Sequence, residues 1–212
     1  GPEDAPRFRL LKIQRAFWER ELRATYNYTT DAEDGQMDEQ EIEFELELPI
    51  SRRFLVEFEG GAVGLNDEGE SWKFRGGDLK IIPEVMLAAT HDISFSSGLS
   101  IRVPTGSDTV GQDRTSLTPY LAFWKDLGRR IGLHTYLGTE FPMGGYGSGA
   151  PDAIFQYGLA PTVTLTPKAK PFLGNFTFFM EMNGETEVGG EDNDTTVTLL
   201  PGARWMIYKD VW

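Results

Sequence analysis

The strongest pattern along the chain is strict alternation. From Glu41 to Leu48 the residues read Glu-Ile-Glu-Phe-Glu-Leu-Glu-Leu, so alternate positions are all glutamate while those between are Ile42, Phe44, Leu46 and Leu48. A helix would scatter these residues around its circumference. A strand, whose side chains project to opposite faces with a period of two, sorts them. The sorting recurs. Phe54, Val56 and Phe58 oppose Leu55, Glu57 and Glu59; Ile93, Phe95, Leu99 and Ile101 oppose Ser94, Ser96, Gly98, Ser100 and Arg102. Leu117, Leu121 and Phe123 oppose Thr118, Tyr120, Ala122 and Trp124, and Ile131, Leu133, Leu137 and Phe141 oppose His134, Tyr136 and Glu140. Phe155, Leu159 and Val163 oppose Gln156, Ala160 and Thr162, and Phe176, Phe178 and Met180 oppose Thr177, Phe179 and Glu181.

These segments predict ten strands, over residues 16–30, 40–50, 53–64, 78–88, 92–103, 117–126, 129–141, 153–166, 170–183 and 196–208. Their connections alternate. Short turns fall near 51–52, 89–91, 127–128, 167–169 and 209–210, and long polar loops near 31–39, 65–77, 104–116, 142–152 and 184–195. Short turns on one rim and long loops on the other are expected of an up-and-down antiparallel transmembrane β-barrel, which is the fold class predicted. The domain division is an N-terminal segment, residues 1–15, followed by the barrel, 16–212. The segment is basic and apolar (Arg7, Phe8, Arg9, Leu10, Leu11, Lys12, Ile13, Arg15) and reads as a periplasmic helix, a plug in the lumen or an extension of the first strand; periodicity does not separate these.

An internal repeat accompanies the strands. Pro83, Pro119, Pro161 and Pro201 recur at intervals of 36, 42 and 40 residues, each in a strand that runs down to a short turn. Proline lacks the amide donor of a ladder, so each position is expected to carry a bulge or a missing hydrogen bond. The repeat aligns Lys209-Asp210-Val211-Trp212 with Lys125-Asp126-Leu127-Gly128, a turn followed by another strand. One more hairpin, giving twelve strands, is therefore expected in the natural protein, with a ten-strand barrel ending at Trp212 as the alternative.

Alternation alone does not say which face meets which solvent. Strands this long exceed the ~5–6 residues usual in soluble proteins and match a tilted membrane crossing of about 9–11 residues. The polar face is rich in Gly, Ser, Thr and Tyr rather than Lys, as a crowded lumen would be. The apolar face is therefore read as facing lipid, where a mid-membrane charge would cost on the order of 1–4 kcal/mol. The opposite parity lines the lumen, with Glu43, Glu45, Glu47, Glu57, Glu59, Glu140 and Glu181, the cations Arg23, Lys80, Arg102 and Arg204, and His134. A packed salt-bridge network is the plainer reading of these groups; an acidic wall that favours cations is the functional one. Tyr120, Trp124 and Tyr136 share that parity and line an aromatic path or simply pack. Aromatic girdles are expected from Tyr26, Tyr28, Trp72, Phe74 and Phe141 near the long loops and from Phe54, Trp124, Trp205 and Trp212 near the short turns.

Composition removes other classes. The mean hydropathy of -0.34 is too polar for a helical membrane protein, and the absence of cysteine excludes disulfides and thiolate chemistry. A net charge of -13 argues against nucleic acid. No nucleophile signature accompanies His134 or His91, so no catalytic residue is assigned and the chain is not read as an enzyme. The acidic loops (Asp31, Glu33, Asp34, Asp38, Glu185, Glu187, Glu191, Asp192, Asp194) lack a fixed calcium-loop spacing, and no metal or other cofactor is assigned. Outer-membrane lipid and lipopolysaccharide, a small-molecule solute and an envelope protein are the partners considered.

Six motifs occur in order: Val103-Pro104-Thr105-Gly106-Ser107, Leu117-Thr118-Pro119-Tyr120-Leu121-Ala122, Lys125-Asp126-Leu127-Gly128, Leu137-Gly138, Asn183-Gly184-Glu185 and Leu200-Pro201-Gly202-Ala203-Arg204-Trp205. Over roughly residues 40–210 the chain thereby resembles the family of outer-membrane proteins associated with the MetA pathway of phenol degradation. The resemblance implies a membrane barrel that transports aromatic or other apolar compounds; it implies no binding residues. A passive channel is the expected function. A structural barrel that anchors a partner and a soluble ligand-binding barrel are the alternatives.

Overall fold

A computed structural model describes residues 5, 7, 10, 12–14, 16–17, 20–31, 37–67, 71–107, 114–143, 151–166, 174–190 and 194–206. They form eleven strands: β1 (Glu21–Asp31), β2 (Met37–Pro49), β3 (Phe54–Asp67), β4 (Lys73–Gly76), β5 (Leu79–Ala89), β6 (Ile93–Val103), β7 (Thr115–Asp126), β8 (Ile131–Met143), β9 (Ala153–Thr164), β10 (Gly174–Val188) and β11 (Thr195–Met206). All pairings are antiparallel, and the order is a meander, β1-β2-β3-β5-β6-β7-β8-β9-β10-β11, with β4 paired to β3. Among the described residues no helix is long and apolar enough to cross a membrane, which leaves open crossing by strands.

The ten meander strands correspond one for one to the predicted segments, with three corrections. The first strand begins at Glu21 rather than residue 16: Ala16 and Phe17 are buried off the sheet. The connection predicted over 65–77 holds β4, whose four residues are too few to show a period. Strand β10 runs to Val188 and β11 starts at Thr195, which shortens the loop predicted over 184–195. The expected closure is also missing. Nearest-neighbour pairing gives every meander strand two partners except the first and last, and no Cα of β1 comes within 8 Å of a Cα of β11. The turns and loops at 32–36, 68–70, 108–113, 144–150, 167–173 and 191–193, and the aligned tail at 207–212, lie outside the described residues.

Three of the four repeat prolines interrupt a ladder, and on a consistent side; Pro201 keeps its bridge to Met180 within a β10·β11 ladder that is unbroken around it. Pro83, Pro119 and Pro161 are bridged to the preceding strand, at Val56, Leu99 and Leu133. Toward the following strand the bridges skip each proline and the residue before it, with the register unchanged on either side. The missing amide thus costs a bridge rather than a bulge. The β5·β6 ladder does shift register between Met86 and Ala88, close to the short turn.

The two faces differ in the sense the alternation predicts. On one, Leu22 is 75% exposed and Phe44 54%; Leu46, Leu121, Leu137, Phe155, Val163 and Leu199 are exposed as well. On the other, Glu47 and Glu57 are 1% exposed and Glu181 0%, beside buried Glu45, Glu84, Ser94, Ser96, Thr118, Thr162 and Thr177. Buried apolar groups on this inner face are Leu55, Ile82, Met86, Tyr120, Ala122, Trp124 and Ala160. The core lies between them and the N-terminal segment: Ala5 and Ala16 pack with Ile82, Tyr120, Ala122 and Trp124, and Leu10 and Ile13 pack with Ala160, flanked by Tyr136 and Phe179.

Glycine makes room for rings on this face. Gly98 is the register partner of Tyr120, whose ring lies where a Cβ at Gly98 would project. Gly202 stands in the same relation to Phe179. Replacing Gly98 by valine is expected to push the Tyr120 ring off its partner and destabilise the fold by about 1–3 kcal/mol. Gly76→Ala, where nothing lies within 4 Å, is the control and should leave denaturant unfolding unchanged.

Candidate functional site

The inner face is crossed by one row of charges. Register partners run Arg23 (β1), Glu45 (β2), Glu59 (β3), Lys80 (β5) and Arg102 (β6). Arg23 Nη2 donates to Glu45 Oε1 at 3.2 Å and Lys80 Nζ to Glu59 Oε2 at 2.9 Å. Like charges directly opposite repel, and Glu45 faces Glu59 while Glu47 faces Glu57. The cations at the two flanks of the first pair offset that repulsion. Arg102 reaches further, donating from Nη1 to Glu140 Oε1 at 3.2 Å. The same carboxylate accepts from Gln156 Nε2 at 3.4 Å, and Gln156 Oε1 accepts from Tyr136 OH at 3.2 Å.

Toward the long loops this row borders a cavity of about 250 Å³, lined by Glu41, Glu43, Glu45, Glu59 and Asp78 together with Lys80 and Arg102 and the backbone around Gly60, Gly61 and Gly77. Its walls carry more acids than bases. Among the described residues no group of three His, Asp or Glu side chains is arranged to hold a metal ion.

Toward the short turns the inner face is covered by the N-terminal segment. The Ala5 amide donates to Asp126 Oδ2 at 2.9 Å. Arg7 Nη2 donates to the carbonyls of Thr90 at 2.5 Å and His91 at 2.9 Å, and its guanidinium carbon stands 4.5 Å from the centre of the Trp124 ring, within cation–π range. Partial burial draws this guanidinium below its ordinary pKa while Asp126 and Asp92 act in the opposite sense; an arginine stays charged throughout. The Lys12 and Ile13 amides both donate to Glu181 Oε2, at 2.9 and 3.2 Å. Phe17 meets the His134 ring edge-on at 6.4 Å between centroids.

The residues singled out in the sequence therefore divide. Arg23, Glu45, Glu59, Lys80, Arg102 and Glu140 come together in the charge row, with Glu43 on the cavity wall. Glu47 and Glu57 are buried as a facing pair nearer the short turns. Glu181, His134 and Trp124 face the N-terminal segment. Tyr120 and Tyr136 pack ring against ring at 5.4 Å, with Tyr120 buried beside Ala5 and Ala16. Arg204 lies on β11 and is exposed. Of the expected girdle, Tyr28, Trp72 and Phe74 cluster near the long loops with centroids 6.4 and 6.5 Å apart, and Phe54 and Trp205 are exposed near the short turns. Trp212, Arg15, and the loop acids Glu33, Asp34, Glu191 and Asp192 lie outside the described residues.

Sequence reasoning did not single out Asp126, Gln156 or the glycines beneath the segment. A Cβ on Gly158 would stand 2.8 Å from Ile13 Cγ1, and one on Gly132 3.3 Å from Ala5 Cβ. Glycine at polar-parity positions opposite a basic, apolar N-terminus was the available signal. Comparison with protein-family models, curated proteins and solved structures finds no match to this chain.

The Arg102–Glu140 pair offers a stability test, since both side chains are largely shielded from water. Arg102→Met leaves a buried carboxylate with a weaker partner and is expected to lower unfolding free energy by roughly 2 kcal/mol, below the full cost of breaking a wholly buried pair because Arg102 is partly wet. Adding Glu140→Gln should recover more than half of that loss in denaturant titrations.

Proposed function

We propose that this chain is an outer-membrane β-barrel that passes small solutes through an acid-lined lumen. The observation that carries the reading is the inverted distribution of residues: carboxylates are buried on one face of the sheet while Leu and Phe side chains are exposed on the other. A sheet in water does the reverse, and an apolar surface that extensive would drive association. In hydrocarbon each outward Leu, Val or Phe gains on the order of 1–3 kcal/mol over its exposure to water, while the backbone is satisfied strand to strand, as a membrane requires.

The reading includes closure of the sheet. Ten strands in a meander leave the first and last running in opposite directions, so β1 and β11 can pair antiparallel, directly or through one further hairpin. Either keeps the even strand number of such barrels. The ordered motifs that resemble the outer-membrane family associated with phenol degradation point the same way and are part of the proposal, as is the envelope location. The acidic cavity toward the long loops supports a preference for cations at the entrance.

A second reading, a structural barrel that anchors an envelope partner, is favoured by one observation: Tyr120, Trp124, His134 and the N-terminal segment fill the inner face toward the short turns. Current across a planar bilayer separates the two. The channel reading expects the purified protein to require detergent for extraction, to form steady pores, and to give a reversal potential in a salt gradient that favours cations. Glu41→Gln with Glu43→Gln should shift that potential toward zero without loss of insertion. A sealed bilayer containing folded protein would sink the channel and leave the anchor; protein that stays in the aqueous phase untreated would sink both.

A further inference from the structure

Lys125 interrupts the apolar face of β7. Leu121 and Phe123 precede it at the same parity and Leu127 follows, and Lys125 is exposed on that outer side. We propose that Lys125 and Arg129 form a binding site for an anionic phospholipid on the outer wall. The two cations hold the phosphate at the short-turn rim, and an acyl chain lies along the apolar positions above them. The site rests on the membrane-barrel reading and names a lipid that the wall selects.

Register places the parts in one column. Lys125 is the partner of Ile93 in β6 and of Leu133 in β8. One step further from the turn Phe123 faces Phe95, the two rings edge-on with centroids 6.4 Å apart. Leu121, the next outward residue, is exposed and faces exposed Leu137. The neighbouring carboxylates turn to other partners. Asp126 accepts the Ala5 and Gly128 amides at 2.9 and 2.7 Å, and Asp92 lies 2.5 Å from His91 Nδ1. A cation on the lipid side is tolerated at headgroup depth, where its stem lies on hydrocarbon and its charge reaches phosphate.

The second cation sits on backbone that does not suit it. The β7–β8 turn is closed by the Ile131 amide, which donates to the Gly128 carbonyl at 3.0 Å, and its two central residues have φ of 53° (Arg129) and 63° (Arg130). Turns of this hand favour Asn and Gly, because a Cβ crowds the backbone there. Arg130 has a use within the fold, donating from Nη1 to the Leu165 carbonyl at 3.4 Å. Arg129 is exposed at the rim, two residues beyond exposed Leu127. Strain kept at such a position marks a side chain held for what it reaches, and a guanidinium is suited to phosphate. The β2–β3 turn repeats the pattern, with exposed Arg52 and Arg53 between exposed Ile50 and Phe54.

The full chain in phosphatidylcholine vesicles, probed with trace spin-labelled lipids, reads the site. Motionally restricted phosphatidylglycerol is expected to exceed restricted phosphatidylcholine by roughly two- to five-fold. Lys125→Gln with Arg129→Asn should remove about half of that excess or more, Arg52 and Arg53 retaining the rest, while the denaturant midpoint holds or rises because asparagine suits the turn. An unchanged excess with a lowered midpoint would make Arg129 a structural residue and overturn the site. Equal restriction of the two lipids by inserted, unmodified protein would overturn the site and leave the barrel standing; protein that enters no vesicle would overturn both. Displacement of the labelled phosphatidylglycerol by millimolar soluble glycerol phosphate would reveal a free-anion site and refute the lipid. Should the double variant fail to insert, the unmodified chain in about 1 M salt decides: screening should cut the excess sharply, and an excess that persists in full would refute the proposal.

Discussion

Everything in this molecule depends on ten ladders staying in phase. Because strand side chains alternate with a period of two, a slip of one residue in any pairing would exchange the faces of every strand beyond it. The row Arg23, Glu45, Glu59, Lys80, Arg102 exists only because four successive registers agree. The same agreement keeps Phe44 and Leu46 on the side opposite Glu45 and Glu47. Hydrogen bonding between neighbours in chain order is thus what converts a one-dimensional alternation into two chemically distinct surfaces.

The inner surface resolves an electrostatic problem in two ways. Carboxylates taken out of water are costly unless paired and hydrogen-bonded. Toward the long loops, Arg23, Lys80 and Arg102 meet them as ion pairs. Toward the short turns, Asp126 and Glu181 accept backbone amides of the N-terminal segment instead. The segment also supplies the apolar anchors that cover Tyr120, Ala122 and Trp124. Its residues take the place that water would fill in an open conduit.

What was legible in the sequence was local and periodic. Glu41 to Leu48 declares its strand because the polar and apolar sets never mix, and β6 through β9 keep most of that sorting, with Ser97, Thr135 and Thr139 falling among the apolar positions. Pro83, Pro119 and Pro161 told of missing bridges because the cause is covalent. The four residues of β4 carry no such signal: Lys73–Gly76 is too short for two full periods and is defined by its pairing with β3. The start of β1 was misjudged because Ala16 and Phe17 alternate no worse than a strand; they are buried against distant residues instead. The seat of Ile13 at Gly158 is separated from it by most of the chain, and single-sequence patterns do not report such encounters. The candidate lumen residues followed from parity, but their partners did not. That Arg102 meets Glu140, two strands away, depends on side-chain reach and not on spacing.

Pro201 bears on the sheet's unpaired border. Its counterparts in β5, β7 and β9 each blank the ladder toward the strand that follows, and Pro201, bridged to Met180 behind it, turns that blank side outward on β11. An open border of amides and carbonyls is a template for stray strands, and proline is one of the ways natural sheets spoil it. The sheet is thus guarded along its β11 margin, one of the two where copies could zip together, by the same residue that punctuates its repeats.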